Sequence, residues 1–246
     1  MFKQKQTLVR AVRAVYPTHS PTIERLKREG RRIWTAPDFI WEQLLRSFST
    51  MGNARGARLM TEAALHDRVT YAVIARMSPK QRRTTLRKTL ASAPVRMADR
   101  KADWLCKNFR RIQRDGGPDR VRAALCACSG RDAKIEFLKT FHGIGDKYAR
   151  NIMMDAYHPE FHESIAYDDR LTKIAEALGL EFKKYDDAEE FFLDVAHAVD
   201  LNGWELDRLL YHAKGDIVDK IPALEDSEPS HLEHPPRRRH SHCPHR

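Results

Sequence analysis

Apolar residues recur along most of this chain at spacings of three and four, the period of helices that bury one face. Phe39, Ile40, Leu44, Leu45 and Phe48 form one such stripe behind Pro37-Asp38, which predicts a helix start. Ala102, Leu105, Phe109 and Ile112 form a second, ended by Gly116-Gly117-Pro118. Further stripes are Ile135, Leu138 and Phe141, then Ala149, Ile152, Met153 and Ala156, and then Phe191, Phe192, Val195, Ala196 and Val199. Trp204, Leu206, Leu209 and Leu210 mark a last helix behind Asn202-Gly203. Strand alternation is nearly absent, so the chain is expected to be all-α. Near the start, Leu8, Val12 and Val15 share one face of a short basic helix that should stop before Pro17, because proline interrupts the helical bond ladder.

The pattern divides the chain into a basic N-terminal segment, 1–36, a helical domain, 37–220, and a tail, 221–246. From Pro229 onward the tail has no apolar period; it carries Arg237 to Arg239 and scattered histidines, and is expected to be disordered. No internal repeat is visible. The 246 residues suffice for a core that needs no disulfides. With 41% hydrophobic and 32% charged residues, and no apolar run of about eighteen, no membrane-spanning helix is expected.

Charge adds a partner to this picture. Residues 1–174 hold 35 basic and 18 acidic side chains, whereas 175–228 hold 5 and 15. A surface this positive suits a polyanion, the alternative being a merely soluble basic protein. Cys106, Cys126, Cys128 and Cys243 fit no disulfide framework, which favours a reducing compartment. Met1 to Ile23 lacks acidic residues, weakly like a transit peptide, but the short basic helix is the preferred reading; the expected location is cytoplasmic, beside the nucleoid. The tail's His234, His240, His242, Cys243 and His245 lack two properly spaced ligand pairs, so neither metal nor cofactor is expected.

The most informative stretch is Phe141-His142-Gly143-Ile144-Gly145-Asp146-Lys147-Tyr148-Ala149, a turn between two helical stripes. Gly143 can end the first helix with positive φ, and Gly145 lets the backbone approach another molecule with no Cβ in the way. The second helix then begins at once, aiming free N–H groups and a positive dipole end outward, a setting for phosphate. An ordinary tight turn with Ile144 in the core would leave the same pattern.

These residues resemble the helix-hairpin-helix (HhH-GPD) DNA glycosylase superfamily, which includes endonuclease III and the glycosylase that removes oxidised guanine. The resemblance implies a two-lobed fold with a central cleft, the hairpin at about 132–157 and the chain ends forming the second lobe. It makes Lys147, two positions past Gly145, the nucleophile of a bifunctional enzyme. Asp168, in Ile165-Ala166-Tyr167-Asp168-Asp169-Arg170-Leu171, becomes the carboxylate, with Asp169 a rival because the connection from Lys147 is somewhat long. Ser49 to Asn53 stands where members fill the gap left by an extruded base, with Met51 and Asn53 as its wedge and Met51 where glutamine is frequent. Arg100-Lys101-Ala102 to Gly116-Gly117 resembles the helix leading toward the hairpin. Trp204 and Asp207 resemble a late helix that borders the base pocket, although Trp204 in the core and Asp207 in an ion pair is the plainer reading. With only Cys243 beyond Cys128, no iron-sulfur cluster is implied.

The chemistry explains these residue types. Breaking an N-glycosidic bond develops positive charge on the sugar, which a nearby carboxylate stabilises. A lysine attacks only when neutral, and with an ordinary pKa of about 10.4 it needs burial or neighbouring cations. The expected activity is therefore base excision from duplex DNA carrying a damaged base, with lyase cleavage through Lys147, by a monomer that uses Gly143, Ile144 and Gly145 as its phosphate clamp. A glycosylase using Asp168 and water, a non-catalytic DNA-binding module and a structured-RNA binder remain the alternatives.

Overall fold

The computed structural model describes residues 1–52 and 54–226, with 222–226 as backbone only, and contains helices but no strands among them. Helix α1 (Phe2–Thr35) is followed by α2 (Phe39–Thr50) and three short helices, α3 (Arg58–Thr61), α4 (Ala63–His66) and α5 (Tyr71–Ala75). Next come α6 (Pro79–Ser92), α7 (Ala98–Arg114), α8 (Pro118–Ala127), α9 (Gly130–Lys139) and α10 (Asp146–Asp155). The chain ends with α11 (Asp169–Ala177), α12 (Tyr185–Ala198), α13 (Gly203–His212) and α14 (Lys214–Asp226). No described helix is long and apolar enough to cross a membrane.

Helix starts and stops follow local chemistry. Asp38 precedes α2, and Asn202 closes a capping box with Glu205 at the head of α13. After α7, Gly116 and Gly117 take positive φ and the Gly117 N–H bonds back to the Ile112 carbonyl at 2.8 Å, after which Pro118 opens α8.

The largest departure from the sequence reading is α1, which does not stop before Pro17 but carries Pro17 and Pro21 within its length. Pro21 has no N–H for the Pro17 carbonyl, and the Ser20 hydroxyl donates to that oxygen instead, at 3.2 Å. Leu8, Ala11, Val12, Val15 and Ile23 are buried on α1, which packs against α12, α13 and α14. Burial at roughly 1.5–3 kcal/mol per large aliphatic side chain outweighs the local cost of the prolines. At the other end, α14 carries the chain to Asp226 with Ile221 buried, so order extends past the expected start of the tail. The histidine-rich stretch lies outside the described residues.

Two groups of helices share one continuous hydrophobic cluster. Helices α2 to α10 pack as one lobe, with α6 on α7, α2 on α7 and α8, and α9 on α10. The chain ends make the other, where α1 meets α12 to α14 and α11 meets α13 and α14. The cleft between them is walled by α1, α2, α10, α11 and α13.

Candidate active site

In the turn before α10 Gly143 has the expected positive φ, although α9 already ends at Lys139 rather than at the glycine. Gly143 has φ of +85°, and a Cβ there would lie 2.5 Å from Trp104 Cε3, so both the backbone and the packing exclude a side chain. Gly145 differs: it is exposed, and a Cβ there would meet nothing within 4 Å. Neither its backbone conformation nor its packing requires a glycine there. Ile144 is buried, its N–H bonded to the Phe141 carbonyl at 3.1 Å. Asp146, in the first turn of α10, would repel a phosphate, but Lys139 pairs with it at 2.9 Å and holds its carboxyl below the ordinary range.

Lys147 projects from that first turn into a cleft of about 700 Å³. It is exposed, and Arg46, Arg170 and Arg208 line the same cleft. Tyr148, Asn151 and Asp155 continue the α10 wall.

Asp168 and Asp169 also line the cleft. Asp168 is the N-cap of α11, accepting the Arg170 N–H at 3.0 Å, and its side chain is 11% exposed. The Arg170 guanidinium also grips Asp168 through Nη2 and Nε. Burial pushes the Asp168 carboxyl up, but these bonds, helped by the charge of Lys147, bring it below its ordinary value. Asp169, by contrast, is exposed on the first helical residue.

The approach to Asp168 is pinned by side chains that periodicity does not single out. Ile165 donates its N–H to Glu189 at 3.1 Å, and the Tyr185 hydroxyl donates to the Ile165 carbonyl. Asp207 accepts the Ala166 N–H at 2.9 Å. Asp207 is thus a buried anchor of the Asp168 segment and is not among the residues that line the cleft. Burial raises its carboxyl above the ordinary value. Trp204 does touch the cleft, but it is buried and its Nε1–H is committed to the Met154 carbonyl at 2.6 Å. On the same wall Arg208 pairs with Asp155 at 2.9 Å, and Arg170 lies over the Tyr211 ring at 4.0 Å.

The loop after α2 borders the cleft through Thr50 and Ala54. Met51 is half-buried against the core and does not line the cleft, while Asn53 lies outside the described residues. No group of three or more His, Cys, Asp or Glu among the described residues could hold a metal ion.

A hairpin whose backbone is open to a phosphate, a lysine one turn beyond it and a carboxylate capping another helix in the same cleft are features that solved structures can be compared with. The 8-oxoguanine DNA glycosylase of Thermotoga maritima, Tm1821, superposes with a TM-score of 0.63 at 14% identity, covering 85% of this chain and 96% of its own. The Methanocaldococcus jannaschii 8-oxoguanine glycosylase/lyase, in complex with 15mer DNA containing 8-oxoguanine, gives 0.65 at 15%, covering 85% and 97%. The chain has their fold. A further structure of the Methanocaldococcus jannaschii enzyme, 8-oxoguanine DNA glycosylase, gives 0.64 at 16% identity, covering 85% of this chain and 94% of its own. No protein-family model and no curated protein matches the sequence. The shared fold is all-α and extends over nearly the whole length of each of these solved chains.

Proposed function

We propose that the chain is a DNA glycosylase of base-excision repair with lyase activity, acting on a damaged base extruded from duplex DNA. The observation that carries this reading is the meeting of Lys147 and Asp168 in one cleft beside a hairpin with an unobstructed backbone. Fold alone supports many activities, so the weight rests on this pair of residues.

Each group has a separate task. Backbone N–H groups at the head of α10 hold a phosphate, fixing the duplex without reading sequence. The C1′–N bond of the extruded nucleotide breaks with its electron pair leaving on the base, and the sugar gains positive charge. Asp168, ionised, stabilises that charge. The neutral Lys147 amine bonds to C1′; loss of its proton and opening of the sugar ring give an imine. Removal of a C2′ proton then expels the 3′ phosphate and cuts the strand. Before this, Arg170 must loosen its grip on Asp168, because a bidentate guanidinium cancels much of the charge the sugar needs.

The solved structures of the same fold are of proteins described as 8-oxoguanine glycosylases, which makes 8-oxoguanine the first lesion to test. Purified protein is incubated with duplexes that each carry one damaged base, and free base and strand cuts are measured. Release of one lesion with a coupled strand cut is expected. Release without a cut would reduce the activity to a glycosylase in which Asp168 activates water, and release of no base would leave only a DNA-binding protein.

A further inference from the structure

On α7, Lys101, Trp104 and Asn108 are spaced three and four apart and so share one face. Lys101 is fully buried, and its Nζ donates to the Phe48 carbonyl at 2.8 Å and the Met51 carbonyl at 2.7 Å, the end of α2 and the start of the loop after it. Asn108, also fully buried, grips the hairpin turn from both sides: its Nδ2 donates to the His142 carbonyl at 3.0 Å and its Oδ1 accepts the His142 N–H at 2.8 Å. Trp104 stands between them, its ring centroid 5.7 Å from that of Phe48 and its edge against the bare Cα of Gly143. Both turns therefore lean on one helix face, about two turns apart along its axis.

We infer that α7 sets the spacing between the loop at 49–52 and the hairpin turn at 141–145, with Lys101 positioning the first and Asn108 the second. This rests on reading the loop as the filler of the gap left by an extruded base and the hairpin as the phosphate clamp. A buried ammonium facing two carbonyls, with no carboxylate paired to it among the described residues, is a costly way to fill space that an aliphatic chain could fill. Its partners explain its presence: the bonds of Lys101 and Asn108 go to the backbone of the two turns and leave the turns' own side chains free.

The test measures binding of the full chain to an intact duplex and to the same duplex with a tetrahydrofuran abasic analogue, which needs no excision. Asn108→Leu should weaken both about tenfold and leave their ratio unchanged, and Asn108→Asp, which keeps the acceptor for His142, should do so less. Lys101→Met should instead bring the abasic preference close to one while intact-duplex affinity stays within about threefold, and Lys101→Gln, which retains an N–H donor, should keep part of it. In the unbound chain, amide exchange should quicken at 49–52 in Lys101→Gln and at 141–145 in Asn108→Asp. An unchanged ratio in the Lys101 variants, a ratio shifted by Asn108→Leu, or a wild-type chain with no abasic preference would overturn the inference. A wild-type chain that prefers the abasic duplex yet releases no damaged base would sink the proposed function while leaving the role of α7 to stand.

Discussion

The two walls that bring Lys147 and Asp168 into one cleft are built in opposite ways. The hairpin wall is contiguous and open: its turn occupies 141–145, braced by Asn108 of α7, Gly145 meets nothing, and Lys147 is exposed. The carboxylate wall is long-range and closed. Asp168 is nearly buried and gripped by Arg170, and the residues before it are held by Tyr185 and Glu189 from α12 and by Asp207 from α13. An open wall suits a partner that must arrive and leave, whereas a closed one holds a carboxylate in place beside a developing cation once Arg170 has let go of it. A defect in the first should therefore appear in binding, and a defect in the second in rate.

The largest effect should come from the closed wall. Asp168→Asn keeps shape and the N-cap but removes the charge, so single-turnover excision should fall by about 10²-fold or more while affinity for damaged duplex hardly changes. Asp169→Asn, on an exposed residue, should change the rate little. If the two variants exchange these outcomes, the carboxylate stands one residue later and the difference between the walls is misassigned.

A smaller effect is expected on the open wall. Gly145→Val puts a branched side chain where the backbone must meet phosphate, and affinity should fall about tenfold, alike for damaged and undamaged duplex, because phosphate contacts carry no sequence information. Loss confined to damaged duplex would mean that the hairpin reads the lesion rather than the backbone.

The hairpin wall was legible in the sequence because its determinants are contiguous: two glycines, a helix end and a helix start within a few residues. The carboxylate wall was legible only as Asp168 itself, since Tyr185 and Glu189 lie roughly twenty residues further on and join it only after α12 has folded back. Asp207 shows the limit of pattern reading, because residue type and helix position could not tell a base contact from a buried anchor. Buried charges also escape pattern reading: Lys101 and Arg82 are both buried, Arg82 donating to the Ile74 and Met77 carbonyls and lying 3.8 Å from the Phe109 ring centroid. In α1, Pro17 signalled a break that tertiary burial overrides.

The smallest effect concerns the loop after α2, which Lys101 holds, and is read as stability against pH. Burial, with Arg96 nearby, lowers the Lys101 ammonium to about 8, below its value in the unfolded chain. The folded state then binds fewer protons than the unfolded one between the two values, so stability rises with pH. The penalty is complete below about pH 8 and fades as pH climbs toward about 10.5. Denaturant unfolding of wild type against Lys101→Met should show the wild type gaining relative stability across that window. A flat difference would mean that Lys101 is solvated in the folded chain.

The central claim, that the open wall delivers a nucleophile to the sugar the closed wall stabilises, is tested most directly by trapping with sodium borohydride. Added while the chain acts on its damaged duplex, borohydride reduces an imine to a stable amine and leaves protein joined to DNA. The account predicts such an adduct with the wild type, none with Lys147→Gln, and attachment at Lys147 when the adduct is digested and sequenced by mass. An undiminished adduct in Lys147→Gln would contradict it, as would base release by the wild type with no adduct at all.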